Sequence, residues 1–141
     1  MTGLLIDTNV VSELRKGGRA DRRVRDWFDR ERATEMWLSV LTVGELRRGV
    51  ALIERRDAEG GASIGAWLDS VVADYQDRIL PITERIAERW ALITIPDPLP
   101  VVDALLAATA LEHDLVLATR NTEDVERSGV RLVNPFLSSD R

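Results

Sequence analysis

The sequence predicts a three-layer α/β/α fold with a mainly parallel central sheet. Short apolar runs without polar alternation recur along the chain, as expected of strands that are buried on both faces of a sheet. Between these runs the apolar residues have helical spacing, and strands separated by such helices are typical of parallel α/β sheets. The length of 141 residues fits one domain, so residues 1–141 are expected to form a single unit.

The first half of the chain is predicted to contain two strands and three helices. The apolar runs GLLI and MWLSV are the two strands. Residues 21–32 place Val24, Trp27 and Phe28 at spacings of 3 and 4, which predicts an amphipathic helix on the surface. In order, the predicted elements are a strand over 3–6, a helix from Thr8 to the Gly17-Gly18 pair, the helix over 21–32, a strand over 36–40 and a helix over 42–55.

Glycine and proline divide the second half of the chain. The segment EGGAS, residues 59–63, is expected to be a loop between two helices. Three prolines in IPDPLP break the chain again, and Pro100 is expected to be the first residue of the next helix. The predicted elements are a helix over 64–78, a short strand or linker over 79–82, a helix from the Thr83 cap to 93, the helix VVDALLAATALEH, a strand over 115–119, a turn or helix NTEDVERSG and a strand over 130–133.

The composition excludes several kinds of active site. The chain has no cysteine and one histidine, His113, so a thiolate metal site, a cysteine nucleophile and a two-histidine site within one chain are ruled out. Any metal must therefore be held by oxygen. The net charge of −5 argues against a protein that coats nucleic acid without sequence preference. Neither a signal peptide nor a membrane span is recognisable, so we expect a cytoplasmic protein.

Two aspartates lie where a charge needs an explanation. Asp7 directly follows the first strand, at a strand end where ligands gather in open parallel sheets, although aspartate is also a favoured helix N-cap. Asp103 lies in a helix whose other residues from 101 to 111 are Val, Ala, Leu or Thr. Such a helix is buried, and a buried carboxylate must be paired or bound to a metal unless the helix dipole at the first turn stabilises it.

Asp7, Glu45, Asp103 and Asp124 share one feature of position. Each lies just after a predicted strand or at the start of a helix, and these positions meet at one edge of a parallel sheet. Taken alone, Glu45 would be an ordinary solvated side chain. Four acids together repel one another unless cations bind, and Mg²⁺ or Mn²⁺ prefers such oxygens. One or two of these ions can generate a hydroxide and neutralise the leaving oxygen of a phosphodiester.

Four ordered segments resemble the motifs of PIN-domain ribonucleases, in particular the VapC-type toxins of bacterial type II toxin–antitoxin pairs and their FitB-like branch. The segments are MTGLLIDTNVVSEL, LSVLTVGELRRGVALI, VVDALLAATALEHDLVLATRNTEDV and GVRLVNPF. The resemblance covers nearly the whole chain and is weakest over residues 56–95. It implies a PIN-like fold and an endoribonuclease that depends on Mg²⁺ or Mn²⁺ and cleaves RNA by metal-activated water. It also implies a cognate antitoxin whose tail covers the acidic groove, and a homodimer.

The resemblance assigns roles to individual residues. The first three acids of the family fall on Asp7, Glu45 and Asp103, which are expected to be catalytic and to bind the metal. The fourth position is filled in some members by an acid at the place of Asn121 and in others by one at the place of Asp124. We favour Asp124, with Asn121 supporting it.

Neighbouring polar residues are expected to support these acids. Thr8 and Asn9 resemble the family positions that steady the first acid. Thr119, at the end of the strand over 115–119, could supply a hydroxyl that hydrogen-bonds to a metal ligand. A polar residue at the end of a strand is equally expected without any such role.

Two other functions are compatible with the same residues. A phosphohydrolase could use Asp7 as a covalent nucleophile, but such enzymes also need a lysine on the phosphate, and the one lysine, Lys16, lies in the first helix region. A binding module with no catalytic activity would bind no metal and would need the acids only for stability.

Overall fold

The computed structural model describes residues 2–137. These residues form a five-stranded sheet with strand order β3-β2-β1-β4-β5, and every neighbouring pair of strands is parallel. The strands are β1 (Leu4–Ile6), β2 (Met36–Ser39), β3 (Ile79–Leu80), β4 (Val116–Ala118) and β5 (Leu132–Val133).

Seven α-helices are present in the described part of the chain. They are α1 (Thr8–Leu14), α2 (Arg22–Arg30), α3 (Val40–Glu54), α4 (Ala58–Asp74), α5 (Glu84–Ile93), α6 (Val101–His113) and α7 (Thr122–Val125). Within residues 2–137, none of them combines the length and the apolar character that a membrane-spanning helix requires.

Alternate side chains of the central strand β1 point to the two faces of the sheet. Leu4 and Ile6 pack in one core with residues from α1 to α4, whereas Leu5 packs in a second core with α6 and β4. Both faces are covered, which explains why β1 is an uninterrupted apolar run. The predicted three-layer α/β/α fold with a parallel sheet is confirmed.

The predicted loop over 59–63 is wrong, because this segment is the first part of α4. Asp57 caps the helix, and its Oδ1 accepts a hydrogen bond from the Gly60 N–H at 3.0 Å. A Cβ on the buried Gly61 would lie 2.7 Å from the Cα of Glu54 in α3. The glycine therefore allows two helices to pack closely. In the sequence, a glycine with this role looks the same as a glycine in a flexible turn.

Smaller differences concern the ends of elements. Helix α3 begins at Val40, two residues before its predicted start, because the Ser39 Oγ accepts a hydrogen bond from the Leu41 N–H at 3.0 Å. Pro100 is the N-cap of α6 rather than its first residue. Helix α2 has the predicted amphipathic character, with Val24 and Trp27 buried and its charged residues exposed.

Replacement of Gly61 should separate the packing role of this residue from helix propensity. Gly61→Ala should lower the free energy of unfolding by about 1–3 kcal/mol, because the added methyl group overlaps the α3 backbone. Gly49 lies within α3, and a Cβ added there would have no neighbour within 4 Å. Gly49→Ala should therefore raise the free energy of unfolding by about 0.5–1 kcal/mol. Urea denaturation followed by tryptophan fluorescence measures both changes, and a gain in stability for Gly61→Ala would contradict the packing role.

Candidate metal centre

Asp7 lies at the end of the central strand and is only 4% exposed. One carboxylate oxygen, Oδ1, caps α1 by accepting a hydrogen bond from the Thr8 N–H at 2.7 Å. The other, Oδ2, accepts hydrogen bonds from the Thr119 hydroxyl at 2.7 Å and from the Asn9 amide at 3.2 Å. Burial raises the pKa of Asp7 in spite of these donors. Asp7 therefore serves both as a helix cap and as the buried acid of the candidate site.

The turn after β4 is tied to α1 through side-chain hydrogen bonds. The Thr119 Oγ1 accepts a hydrogen bond from the Asn121 N–H at 3.0 Å, and the Asn9 Oδ1 accepts one from the Arg120 N–H at 3.1 Å. Because Thr119 and Asn9 also contact Asp7, the three residues after β4 are held beside the buried carboxylate. Thr119 and Asn9 thus lie where the sequence analysis expected supporting residues.

Glu45 lies on α3, which starts where β2 ends, and its side chain is exposed to solvent. Its Oε1 accepts a hydrogen bond from the Thr8 hydroxyl at 2.5 Å. The Thr8 backbone N–H donates to Asp7 at the same time. Thr8 therefore links the first and second acids, and the charge of Glu45 contributes to the raised pKa of Asp7.

Asp103 lies in the first turn of α6 and is half-buried. Its pKa is raised to about 6, first by burial and then by the negative charges of Asp7 and Asp124, with a smaller effect of Glu45. A hydrogen bond with the Asn121 side chain acts in the opposite direction. The structure thus brings Asp7, Asp124 and Glu45 within electrostatic reach of Asp103 and places Asn121 beside it.

The four acids do not form a closed shell of ligands. Among residues 2–137, no group of three or more aspartate, glutamate or histidine side chains lies close enough together to enclose a metal ion. Mutual repulsion of the carboxylates opposes closer approach in the absence of a cation. The donor set itself fits Mg²⁺ or Mn²⁺, since it consists of oxygen ligands, and burial together with the neighbouring negative charges raises the pKa of Asp7 and of Asp103.

Residues 4–127 match the sequence model of the PIN domain family. The chain belongs to the PIN domain family. It is 32% identical over 141 residues to the VapC ribonuclease Y4jK of Sinorhizobium fredii, a match covering 94% of this chain and 97% of the relative. It is 33% identical over 138 residues to the Toxin FitB of Neisseria gonorrhoeae, with 94% of this chain and 98% of the relative covered.

The solved structures give the same family. The structure of FitAB bound to an IR36 DNA fragment contains a chain that superposes on this PIN domain with a TM-score of 0.84 and 30% sequence identity. The superposition covers 98% of this chain and 99% of that one.

The sequence analysis overlooked two residues at this edge of the PIN domain. Arg120 lies between Thr119 and Asn121, and its guanidinium stacks on the ring of Phe136, which follows β5. The position of Arg120 within the TRN segment could have identified it. The contact with Phe136 joins residues that follow two different strands, β4 and β5, and no local pattern in the sequence indicates it.

The charges of this site should be visible as a pH-dependent loss of stability. The folded-state pKa of Asp103 is about 6, compared with 3.8 for a free aspartate, so wild-type stability falls as the pH rises between these values. With divalent cations removed, Asp103→Asn should raise the free energy of unfolding at pH 8 by about 1 kcal/mol, a value discounted for partial exposure, and change it little near pH 4.

Urea denaturation in EDTA at the two pH values measures this effect. Glu123→Gln, which removes an exposed acid on α7 that does not contribute to the raised pKa of Asp103, is the matched control and should show no such pH dependence. If Asp103→Asn changes the free energy of unfolding equally at both pH values, the pKa of Asp103 is not raised in the folded protein.

Proposed function

We propose that this PIN domain is a metal-dependent endoribonuclease and the toxin of a toxin–antitoxin pair, and that residues 1–141 form a single nuclease domain. The observation that carries the proposal is the grouping of four acids from separate segments at the carboxyl edge of the parallel sheet, where the charges of Asp7, Asp124 and Glu45 contribute to the raised pKa of Asp103. The ribonuclease and toxin named above, which match nearly the whole chain, support it. We expect it to act in the cytoplasm.

Asp7, Glu45 and Asp103 would hold the Mg²⁺ or Mn²⁺, with Asp124 or Asn121 at the fourth position. When bound, such an ion supplies an activated water and neutralises negative charge on the phosphodiester. Thr119 orients the carboxylate of Asp7 by its hydrogen bond of 2.7 Å.

The outer acids leave the site open to a long substrate. Glu45 and Asp124 are exposed, whereas Asp7 is buried behind them. An RNA strand can therefore approach from the solvent side without any movement of the sheet. Glu45 is oriented by the Thr8 hydroxyl, which limits the freedom of an otherwise mobile side chain.

The two alternative functions are less well supported. A phosphohydrolase with Asp7 as its nucleophile also needs a lysine on the phosphate, and the chain has one lysine, Lys16. Lys16 forms an ion pair with Glu13 at 3.0 Å instead of reaching the site. A module that binds no cation would have nothing to compensate the burial and the neighbouring negative charges that raise the pKa of Asp103.

A protein partner is also part of the proposal. Similar solved structures are complexes of toxins with antitoxins, and we propose that a cognate antitoxin inhibits this chain. A cavity of about 530 Å³ beside α1, α2 and α4 offers an apolar surface for it, since surfaces of this kind mark sites of protein interaction. The apolar lining includes Ile6, Val11, Phe28, Leu38, Trp67 and Val71.

A homodimer, which the resemblance implies, needs an apolar surface of its own. Leu92, Ile95 and Val101 are between 59% and 75% exposed near the start of α6. We propose that they contribute to the contact between two copies of the chain.

Loss of the inner acids should abolish RNA cleavage. Asp7→Asn and Asp103→Asn should each reduce Mn²⁺-dependent cleavage of single-stranded RNA by more than about 100-fold. Loss of a residue that only hydrogen-bonds to a metal ligand costs ~10–100-fold in activity, and loss of the ligand itself should cost more. Glu123→Gln should retain activity within about twofold of wild type. Thermal melting checks that the variants fold, and cleavage by a folded Asp7→Asn variant at the wild-type rate would contradict the proposal.

The fourth position can be assigned by measuring metal affinity. Asp124→Asn should raise the Kd for Mn²⁺ about tenfold, since it removes a full negative charge, whereas Asn121→Ala should raise it less. Isothermal titration calorimetry on the two variants measures the difference. A larger loss for Asn121→Ala would assign the fourth position to the amide of Asn121.

A further inference from the structure

We propose that Arg120 is a substrate-positioning residue that binds a phosphate of the RNA strand next to the acidic cluster. The inference rests on the proposed nuclease function, and it adds a contact that the four acids cannot supply. A chain with a net charge of −5 and four acids in its site repels a polyanion, so a fixed positive charge beside the metal centre would have a clear use.

The position of Arg120 in the chain places it at the candidate site. Its two neighbours both belong to the cluster: Thr119 donates a hydrogen bond to Asp7 at 2.7 Å, and Asn121 contacts Asp103. The Arg120 N–H donates to the Asn9 Oδ1 at 3.1 Å. The backbone of Arg120 is therefore fixed by the same hydrogen bonds that hold the buried acid.

The guanidinium of Arg120 is also held in place. Its Cζ lies 3.7 Å from the centroid of the Phe136 ring, and Phe136 is only 6% exposed. Asn134 ties the two residues together, because its Oδ1 accepts a hydrogen bond from the Phe136 N–H at 2.9 Å and its Nδ2 donates to the Arg120 carbonyl at 3.5 Å. A stacked guanidinium loses less entropy on binding, and its N–H groups at the edge remain available as donors.

No acceptor within residues 2–137 occupies those donors. In this part of the chain the side chain of Arg120 forms no ion pair and no hydrogen bond. Other arginines in this part of the sequence are paired: Arg127 with Asp97 at 2.9 Å and Arg131 with Asp114 at 2.6 Å. The planar fork of Arg120 therefore matches an anion from outside the chain, and a phosphodiester next to the one being cleaved is the anion that a ribonuclease presents.

Kinetics on a short single-stranded RNA with Mn²⁺ test the assignment. Arg120→Gln should raise KM about tenfold while kcat changes less than about twofold, and the dependence of log KM on log salt should become shallower by about 0.7, the value for one phosphate contact with a single strand. Arg120→Lys, which keeps the charge but loses the planar fork, should lie between wild type and Arg120→Gln.

Two further variants separate positioning from a structural effect. Phe136→Leu should raise KM by less than Arg120→Gln, and the double variant should be no worse than Arg120→Gln alone, since the ring acts through the guanidinium. Arg131→Gln removes an arginine at the start of β5, paired with Asp114 after the end of α6, and should leave KM unchanged. Melting temperatures show whether each variant is folded.

The outcomes distinguish this inference from the proposed function. An unchanged KM for Arg120→Gln, or a fall in kcat alone, overturns the phosphate contact while the nuclease function stands. Unchanged RNA kinetics together with weaker binding of an acidic peptide would reassign Arg120 to a protein partner.

If wild type does not cleave RNA, the nuclease function fails, and fluorescence anisotropy with the same RNA at several salt concentrations decides the inference. Weaker binding and a shallower salt slope for Arg120→Gln would support it, and equal binding would overturn it.

Discussion

The buried carboxylate of Asp7 is the constraint on which the rest of the site depends. A carboxylate that is 4% exposed at the end of a central strand is unfavourable unless donors surround it. Thr8, Asn9 and Thr119 supply these donors, and each of them has a second task in the structure. Thr8 holds Glu45, and Asn9 and Thr119 fix the turn after β4. Satisfying one buried charge thus organises three segments of the chain.

The topology explains why acids from separate segments meet. Strand β1 lies between β2 and β4 in a parallel sheet, so the segments that follow all three strands emerge at one edge. Helix α3 follows β2 and carries Glu45, whereas the turn after β4 carries Asn121 and Asp124. Helix α6 precedes β4 and presents Asp103 from its first turn. Burial and the neighbouring negative charges raise the pKa of Asp103 to about 6, so we expect its ionisation to lower stability near neutral pH, as is common at sites shaped for a ligand.

Much of this arrangement could be predicted from the sequence, because it follows from local patterns. Uninterrupted apolar runs identified the buried strands, and an acid in an otherwise apolar helix identified Asp103. The helix over EGGAS could not be predicted, because the reason for Gly61 is its distance from Glu54 in another helix. The stacking of Arg120 on Phe136 was missed for the same reason: it depends on the pairing of β4 with β5. Whether Asp124 or Asn121 fills the fourth position is a matter of side-chain geometry, on which spacing has no bearing.

Anomalous diffraction from crystals soaked in Mn²⁺ decides whether these acids share a divalent cation. We expect an anomalous peak at the manganese absorption edge between Asp7, Glu45 and Asp103, with carboxylate oxygens about 2.0–2.2 Å from the ion, as for hard divalent cations of this size. A fully soaked crystal with no peak at this edge of the sheet, or with manganese bound only at unrelated surface acids, would contradict it.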